Sequence, residues 1–95
     1  MVSYSKKDYT FLRFEKSRRT GKKYDAVLKN KKTGREVRVP FGSSSYEQYF
    51  DSTGLGLYSS KNHNDKKRRA LYRSRHKNDN LDDYSPGYFS WRFLW

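Results

Sequence analysis

The residues best suited to chemistry in this 95-residue chain are a run of cations. Lys66, Lys67, Arg68, Arg69, Arg73 and Arg75 surround Ala70, Leu71 and Tyr72, and Lys77 follows. Guanidinium forks match phosphate oxygens, and cations that neutralise phosphates release condensed counterions. The same charges also fit an acidic surface on a protein partner, or a solvated helix face with Leu71 and Tyr72 turned inward. Lys and Arg in a helix's first turn oppose its dipole, at about 0.3–1 kcal/mol each when exposed. Keeping them there points to a use for the charge. Lys22, Lys23, Lys31 and Lys32 are expected to assist on the same polyanion. Arg13, Lys29 and Arg38 stand among Tyr9, Phe11 and Phe14, an interleaving that can form a stacking platform for single strands. Core packing is the favoured reading of those three rings, because the chain has few other core residues.

No other constellation carries a reaction. His63 and His76 are 13 positions apart, with Asp65, Asp79, Asp82 and Asp83 nearby. Metal ligands sit closer together on fixed elements, so a capping or hydrogen-bonded role suits these histidines better. Gly54-x-Gly56 lacks the third glycine and the preceding strand of a dinucleotide loop, and no Lys-Ser/Thr follows it as in a P-loop. Ser43, Ser44 and Ser45 have no His or acid arranged beside them. The chain reads as non-enzymatic, with no cofactor, no metal and no small-molecule substrate.

The second candidate is the tail. Tyr88, Phe89, Trp91, Phe93 and Trp95 are five large aromatic residues within eight positions. They either close the domain's own core or anchor it in a neighbour. The first is favoured, since aliphatic residues are scarce upstream.

The elements that must position these residues follow from pattern. Asp8–Lys16, Lys22–Asn30 and Arg35–Phe41 read as strands joined by short turns. Tyr24, Ala26 and Leu28 share one face, and Val37, Val39 and Phe41 alternate with polar positions. Pro40 belongs at a strand end or on an edge. Ser44-x-x-Glu47 has capping-box spacing and predicts a short helix over about Ser45–Asp51, with Tyr46, Tyr49 and Phe50 on one face. Asn64 or Asp65 can cap a helix running to about His76. Ser85 and Pro86 mark a third start, although helical and strand periods both fit the aromatic tail. The expected fold is α+β: a three-stranded antiparallel meander over residues 1–41, then two or three short helices over 42–95, in a single domain.

Composition bounds the rest. Leu, Val and Phe together number 17, there is no Ile, and the net charge is +12. That balance alone signals disorder. Against it stand nine Tyr, six Phe and two Trp, which bury much area from few positions. With no Cys there are no disulfides and no thiolate zinc site, which fits an intracellular protein. A domain this small without staples is expected to draw stability from a partner or assembly. No apolar run approaches the ~20 residues that span a bilayer, so no membrane insertion is expected. Met1–Lys7 has no apolar segment behind its charges and does not read as a secretory signal. Charge runs in blocks along the chain: +9 over residues 1–41, −2 over 42–60, +7 over 61–77 and −2 over 78–95. Blocks of this kind suggest patches on a folded surface.

Phe41-Gly42, Tyr46-Glu47-Gln48-Tyr49, His63-Asn64-Asp65, Lys67-Arg68-Arg69, Tyr72-Arg73-Ser74-Arg75-His76, Pro86-Gly87-Tyr88-Phe89-Ser90-Trp91 and Leu94-Trp95 occur in that order. Over about residues 22–95 this order resembles a family of small basic proteins of unknown function from large nucleocytoplasmic DNA viruses. The resemblance carries no activity and transfers no catalytic residue. It implies a viral setting, in which small basic proteins serve in particles or on nucleic acid. The expectation is a minor capsid or virion-associated structural protein that bridges larger capsid or virion proteins, present in the virion and inside the host cell during assembly. The alternative is a DNA- or RNA-binding protein whose basic helix contacts phosphates.

Overall fold

The computed structural model describes residues 3–78 and 82–95. Met1, Val2 and Asp79, which figure in the expectations above, lie outside the described residues. Three strands, β1 (Tyr9–Lys16), β2 (Lys22–Asn30) and β3 (Glu36–Ser43), form an antiparallel meander in the order β1-β2-β3. A short 3-10 turn (Ser59–Lys61) and two helices, α1 (Lys66–Arg75) and α2 (Pro86–Phe93), complete the described elements, so the fold is α+β.

Alternation sets the register. Tyr24 pairs with Phe41, Ala26 with Val39 and Leu28 with Val37, and apart from half-buried Val37 all of these side chains are buried on the inner face. β1 presents a parity problem, because Phe11 and Phe14 are three positions apart and cannot share a face of a regular strand. The register shifts between Phe11 and Arg13, so that Phe11 pairs with Leu28 and Phe14 with Ala26. Leu12 is the extra residue of this bulge, and both phenylalanines reach the core. Pro40 lies on β3, an edge strand, where its missing N–H costs no ladder bond. In the β2–β3 turn, Asn30 Oδ1 accepts from the backbone N–H groups of Lys32 at 2.9 Å and Thr33 at 3.1 Å.

The outer face of the sheet is polar and tied together. Arg38 pairs with Glu15 at 2.8 Å and with Asp25 at 3.4 Å, and Arg13 pairs with Glu15 at 2.6 Å. Val27, fully buried, lies between Arg13 and Arg38 in the register. Long cationic stems beside an apolar side chain shield it while their heads stay wet. Tyr9, Phe11 and Phe14 pack against the core, so the basic-aromatic platform that their spacing allowed on this sheet does not form.

The second half departs from expectation at one place. Ser45–Asp51 is not a helix. The segment instead runs as turns and an isolated bridge between Gln48 and Asn62, with Gln48 N–H donating to Lys61 O at 3.1 Å and His63 N–H donating to Gln48 O at 3.0 Å. Tertiary partners outbid a seven-residue helix, which is marginal by itself. Glu47 turns to Arg68, at 2.9 Å, and does not close a capping box. The Gln48 side chain is buried, donating to Tyr58 O at 2.8 Å and Asn62 Oδ1 at 2.7 Å while accepting from Lys23 Nζ. Tyr24 donates its hydroxyl proton to Asp51 and accepts from the N–H of Leu57 at 3.0 Å. Two neighbouring residues of β2 thus hold the long loop onto the sheet.

Helix α1 starts where expected: the Asp65 carboxylate accepts from the N–H of Lys67 at 2.9 Å and of Arg68 at 3.2 Å. Helix α2 has Ser85 as its cap, accepting from Tyr88 N–H at 3.1 Å, with Pro86 in its first turn. The tail is therefore helical, and it closes the domain's own core. Phe89 and Leu94 are buried, Phe89 stacks on Phe41 with centroids 5.5 Å apart, and Phe93 meets Phe14 edge-on at 4.7 Å. Tyr88 and Trp95 are partly buried and pack against the same core. No helix among the described residues is long and apolar enough to cross a membrane.

Candidate functional site

Helix α1 divides its cations between two faces. Arg69, Tyr72, Arg73 and His76, at helical spacing, turn toward the tail. Arg69 Nε donates to the backbone oxygen of Trp95 at 2.8 Å and its guanidinium lies 4.8 Å from the Tyr49 ring. Arg73 Nη2 donates to the same oxygen at 3.1 Å and its guanidinium lies 5.1 Å from the Trp91 ring. Burial and the neighbouring Arg69 push the Arg73 pKa down. These two arginines, expected on phosphates, are occupied in docking the helix. Tyr72 is half-buried as the inward reading required, but Leu71 is exposed. Lys66, Lys67, Arg68 and Arg75 are exposed; Arg68 is paired with Glu47, and Lys66, Lys67 and Arg75 are open to a ligand.

An aromatic column supports this side of the helix. Tyr72 stacks on His76 at 4.3 Å and on Trp95 at 4.4 Å, and His63 lies 5.2 Å from Trp95. His63 Nδ1 accepts from the N–H of Asp65 at 2.9 Å, the hydrogen-bonded role its context suggested. Asn64 takes a left-handed φ of 55° to make that corner. Burial first, then the nearby Arg68, lowers the His63 pKa.

Between this column, the end of β3 and the loop after it lies a cleft of about 680 Å³. Lys22, Arg68 and Arg75 bring cations to it, Tyr72 and Trp95 bring ring surface, and Tyr46 stands at the rim, 72% exposed. Glu47, held to Arg68, is its carboxylate, and Arg68 lowers the Glu47 pKa. A second hollow of about 290 Å³ on α1 is lined by Arg68, Leu71, Arg75 and Trp95, and so shares three residues with the first. A concave, aromatic-lined and cationic surface can take a ligand with both flat rings and negative charge.

The expected binding residues do not all gather here. Lys23 also borders the cleft but is 1% exposed, with its ammonium on Gln48, so it is a structural group and not a phosphate contact. Burial, then the charge of Lys61, pushes its pKa down to about 8. Lys31 and Lys32 are exposed in the β2–β3 turn, at the far end of β2 from Lys22, about 27 Å away along the strand. Among the tail residues, Trp95 lines the cleft while Phe89 and Phe93 belong to the core. Tyr46, Glu47 and His76 were not expected at the site. The signal for Tyr46 was its setting, a lone ring between Ser43-Ser44-Ser45 and Glu47, which suits an exposed turn better than an apolar helix face.

Among the described residues no group of three His, Asp or Glu side chains is placed to hold a metal ion. No family model, curated protein or solved structure matches the chain.

Proposed function

We propose that the protein binds nucleic acid through the cleft between α1, the tail and the end of β3. The observation that carries this reading is the convergence of Lys22, Arg68 and Arg75, from two distant parts of the chain, on one concave surface lined by Tyr72 and Trp95. The net charge of +12 supports it by steering a polyanion toward the protein. Lys66 and Lys67 extend the positive surface along α1, and Lys31 and Lys32 add a distant, weaker foothold. Fluorescence anisotropy with a labelled oligonucleotide tests the reading. With the two phosphates of Lys22 and Arg75 neutralised, affinity is expected to fall about 7- to 12-fold between about 50 and 200 mM salt. No measurable binding at the lower salt contradicts it.

A second role, as a minor capsid or virion-associated component bridging larger proteins, is supported by a different observation. Phe50, Leu55 and Leu57 lie in one loop and are 49%, 43% and 54% exposed, apolar side chains near in sequence and suited to a protein partner. A basic protein on the inner side of a shell joins both roles, facing protein on one side and packaged genome on the other. Quantitative mass spectrometry of purified particles after a high-salt wash tests it: retention at fixed stoichiometry supports the bridging role, and absence from particles removes it.

A further inference from the structure

We infer that the cleft takes an unpaired stretch of a single strand, with one base stacked on Tyr46 and the adjoining phosphates on Lys22 and Arg75. This inference rests on the nucleic-acid reading above and adds the form of the ligand. Three observations lead to it.

Tyr46 is the first. Of the nine tyrosines it alone is exposed; the other eight are buried or half-buried. A chain so short of apolar residues spends its aromatic rings on packing, as Tyr24, Tyr58 and Tyr84 show in the core. A ring left 72% open at the mouth of a basic cleft contributes little to folding. Its exposed ring can take a base, and stacking on such a ring tolerates any base because each has a π-face.

Shape is the second. The cations come from two separate elements that wall the cleft: Lys22 at the start of β2, Arg68 and Arg75 on α1. A duplex is a convex rod that keeps its base faces inside, so it can lie along α1 but cannot enter between the walls. A single strand can splay a base out and follow the walls with its backbone. Glu47, fixed on Arg68, makes part of the α1 wall unfavourable for phosphate and leaves Lys22 and Arg75 as the phosphate contacts.

Continuity is the third. The second hollow shares Arg68, Arg75 and Trp95 with the cleft and continues past Leu71. Two adjoining hollows with shared lining residues suit a chain of linked nucleotides better than a free mononucleotide.

The test is competition against a labelled single strand of roughly 12 nucleotides, within the site sizes of such binders. The competitors are the unlabelled strand, the duplex of the same sequence and a nucleoside monophosphate. The single strand is expected to compete at least about 10-fold better than the duplex, with the monophosphate far weaker. Tyr46→Ala is expected to lose about 10- to 100-fold on the single strand, with little change on the duplex, and Tyr46→Trp to retain binding. Equal competition by strand and duplex, with Tyr46→Ala silent, overturns the inference and leaves nucleic-acid binding standing. A monophosphate that competes as well as the strand overturns it in favour of a free nucleotide. Binding to none of the three probes overturns both readings.

Discussion

The ring of Tyr72 lies flat on the indole of Trp95, with centroids 4.4 Å apart and planes 4° from parallel. That stack, with Arg69 and Arg73 on the Trp95 backbone oxygen, fastens α1 to the rest of the molecule. Inner and outer residues of the same helix are therefore expected to behave differently. Tyr72→Ala or Arg69→Ala should lower stability by about 1–2 kcal/mol, since each removes a half-buried contact. Lys66→Ala and Lys67→Ala should change it by less than about 0.5 kcal/mol. Urea unfolding followed by far-ultraviolet circular dichroism measures both, and equal effects on the two faces contradict the docking described.

Buried Lys23 gives the stability a pH dependence of definite sign. Its folded pKa is about 8, against an ordinary value of 10.5, so in that interval the unfolded chain binds more protons. Stability is then expected to rise as pH increases from about 8 toward 10, by an amount on the order of 2 kcal/mol. Tyr24 acts in the opposite sense above its ordinary pKa of 10, because burial and its bond to Asp51 raise its folded value. The gain should level off there. Urea midpoints across this range test the effect, and in Lys23→Met the rise should vanish.

On the acid side the sensitive group is His63. Its lowered pKa means that the unfolded chain takes up a proton first, so stability is expected to fall as pH drops below 6.5. A proton on Nδ1 also removes the acceptor for Asp65 N–H, at the corner that starts α1. Glu47, lowered by Arg68, adds a further loss only below its ordinary pKa of 4.5. Unfolding midpoints between about pH 7 and pH 5 are expected to decline in the native chain, and less steeply in His63→Gln.

Two glycines separate backbone strain from crowding. Both Gly21 and Gly42 have positive φ, 87° and 74°. A Cβ on Gly21 meets nothing within 4 Å, whereas on Gly42 it meets Leu94 Cδ1 at 2.8 Å and Lys23 Cδ at 3.3 Å. Gly21→Ala is expected to cost about 1 kcal/mol and Gly42→Ala about 2–4 kcal/mol, because the second also displaces a core leucine. Thermal and urea unfolding of the two variants measure the difference.

The sheet was legible because its signals are local. Val37, Val39 and Phe41 alternate, and the Asn30–Gly34 turn carries its own hydrogen bonds. Both longer helices were legible from Asp65 and Ser85-Pro86, whose caps act over three residues. The segment after β3 was not, because its fate depends on residues far away in sequence: Gln48 is claimed by Lys23 and Asn62, and Glu47 by Arg68. The charge count of the basic helix was correct, but which cations point outward depends on where the tail docks. Arg69 and Arg73 could not be told from Arg68 and Arg75 by composition. The cleft is a tertiary product of four separated segments, and of its lining the sequence singled out the cations and Trp95 but not their convergence.

The most direct test of the nucleic-acid cleft compares two charge-matched double variants. Lys22→Ala/Arg75→Ala removes two cations from the cleft, and Lys31→Ala/Lys32→Ala removes two from the far turn. Affinity for a labelled oligonucleotide is measured across salt concentrations for both and for the native protein. The cleft variant is expected to bind at least about 10-fold more weakly, with a salt slope shallower by roughly 1.5–2, while the turn variant stays near native. Equal losses in the two variants contradict a dedicated cleft and indicate diffuse attraction by the net charge.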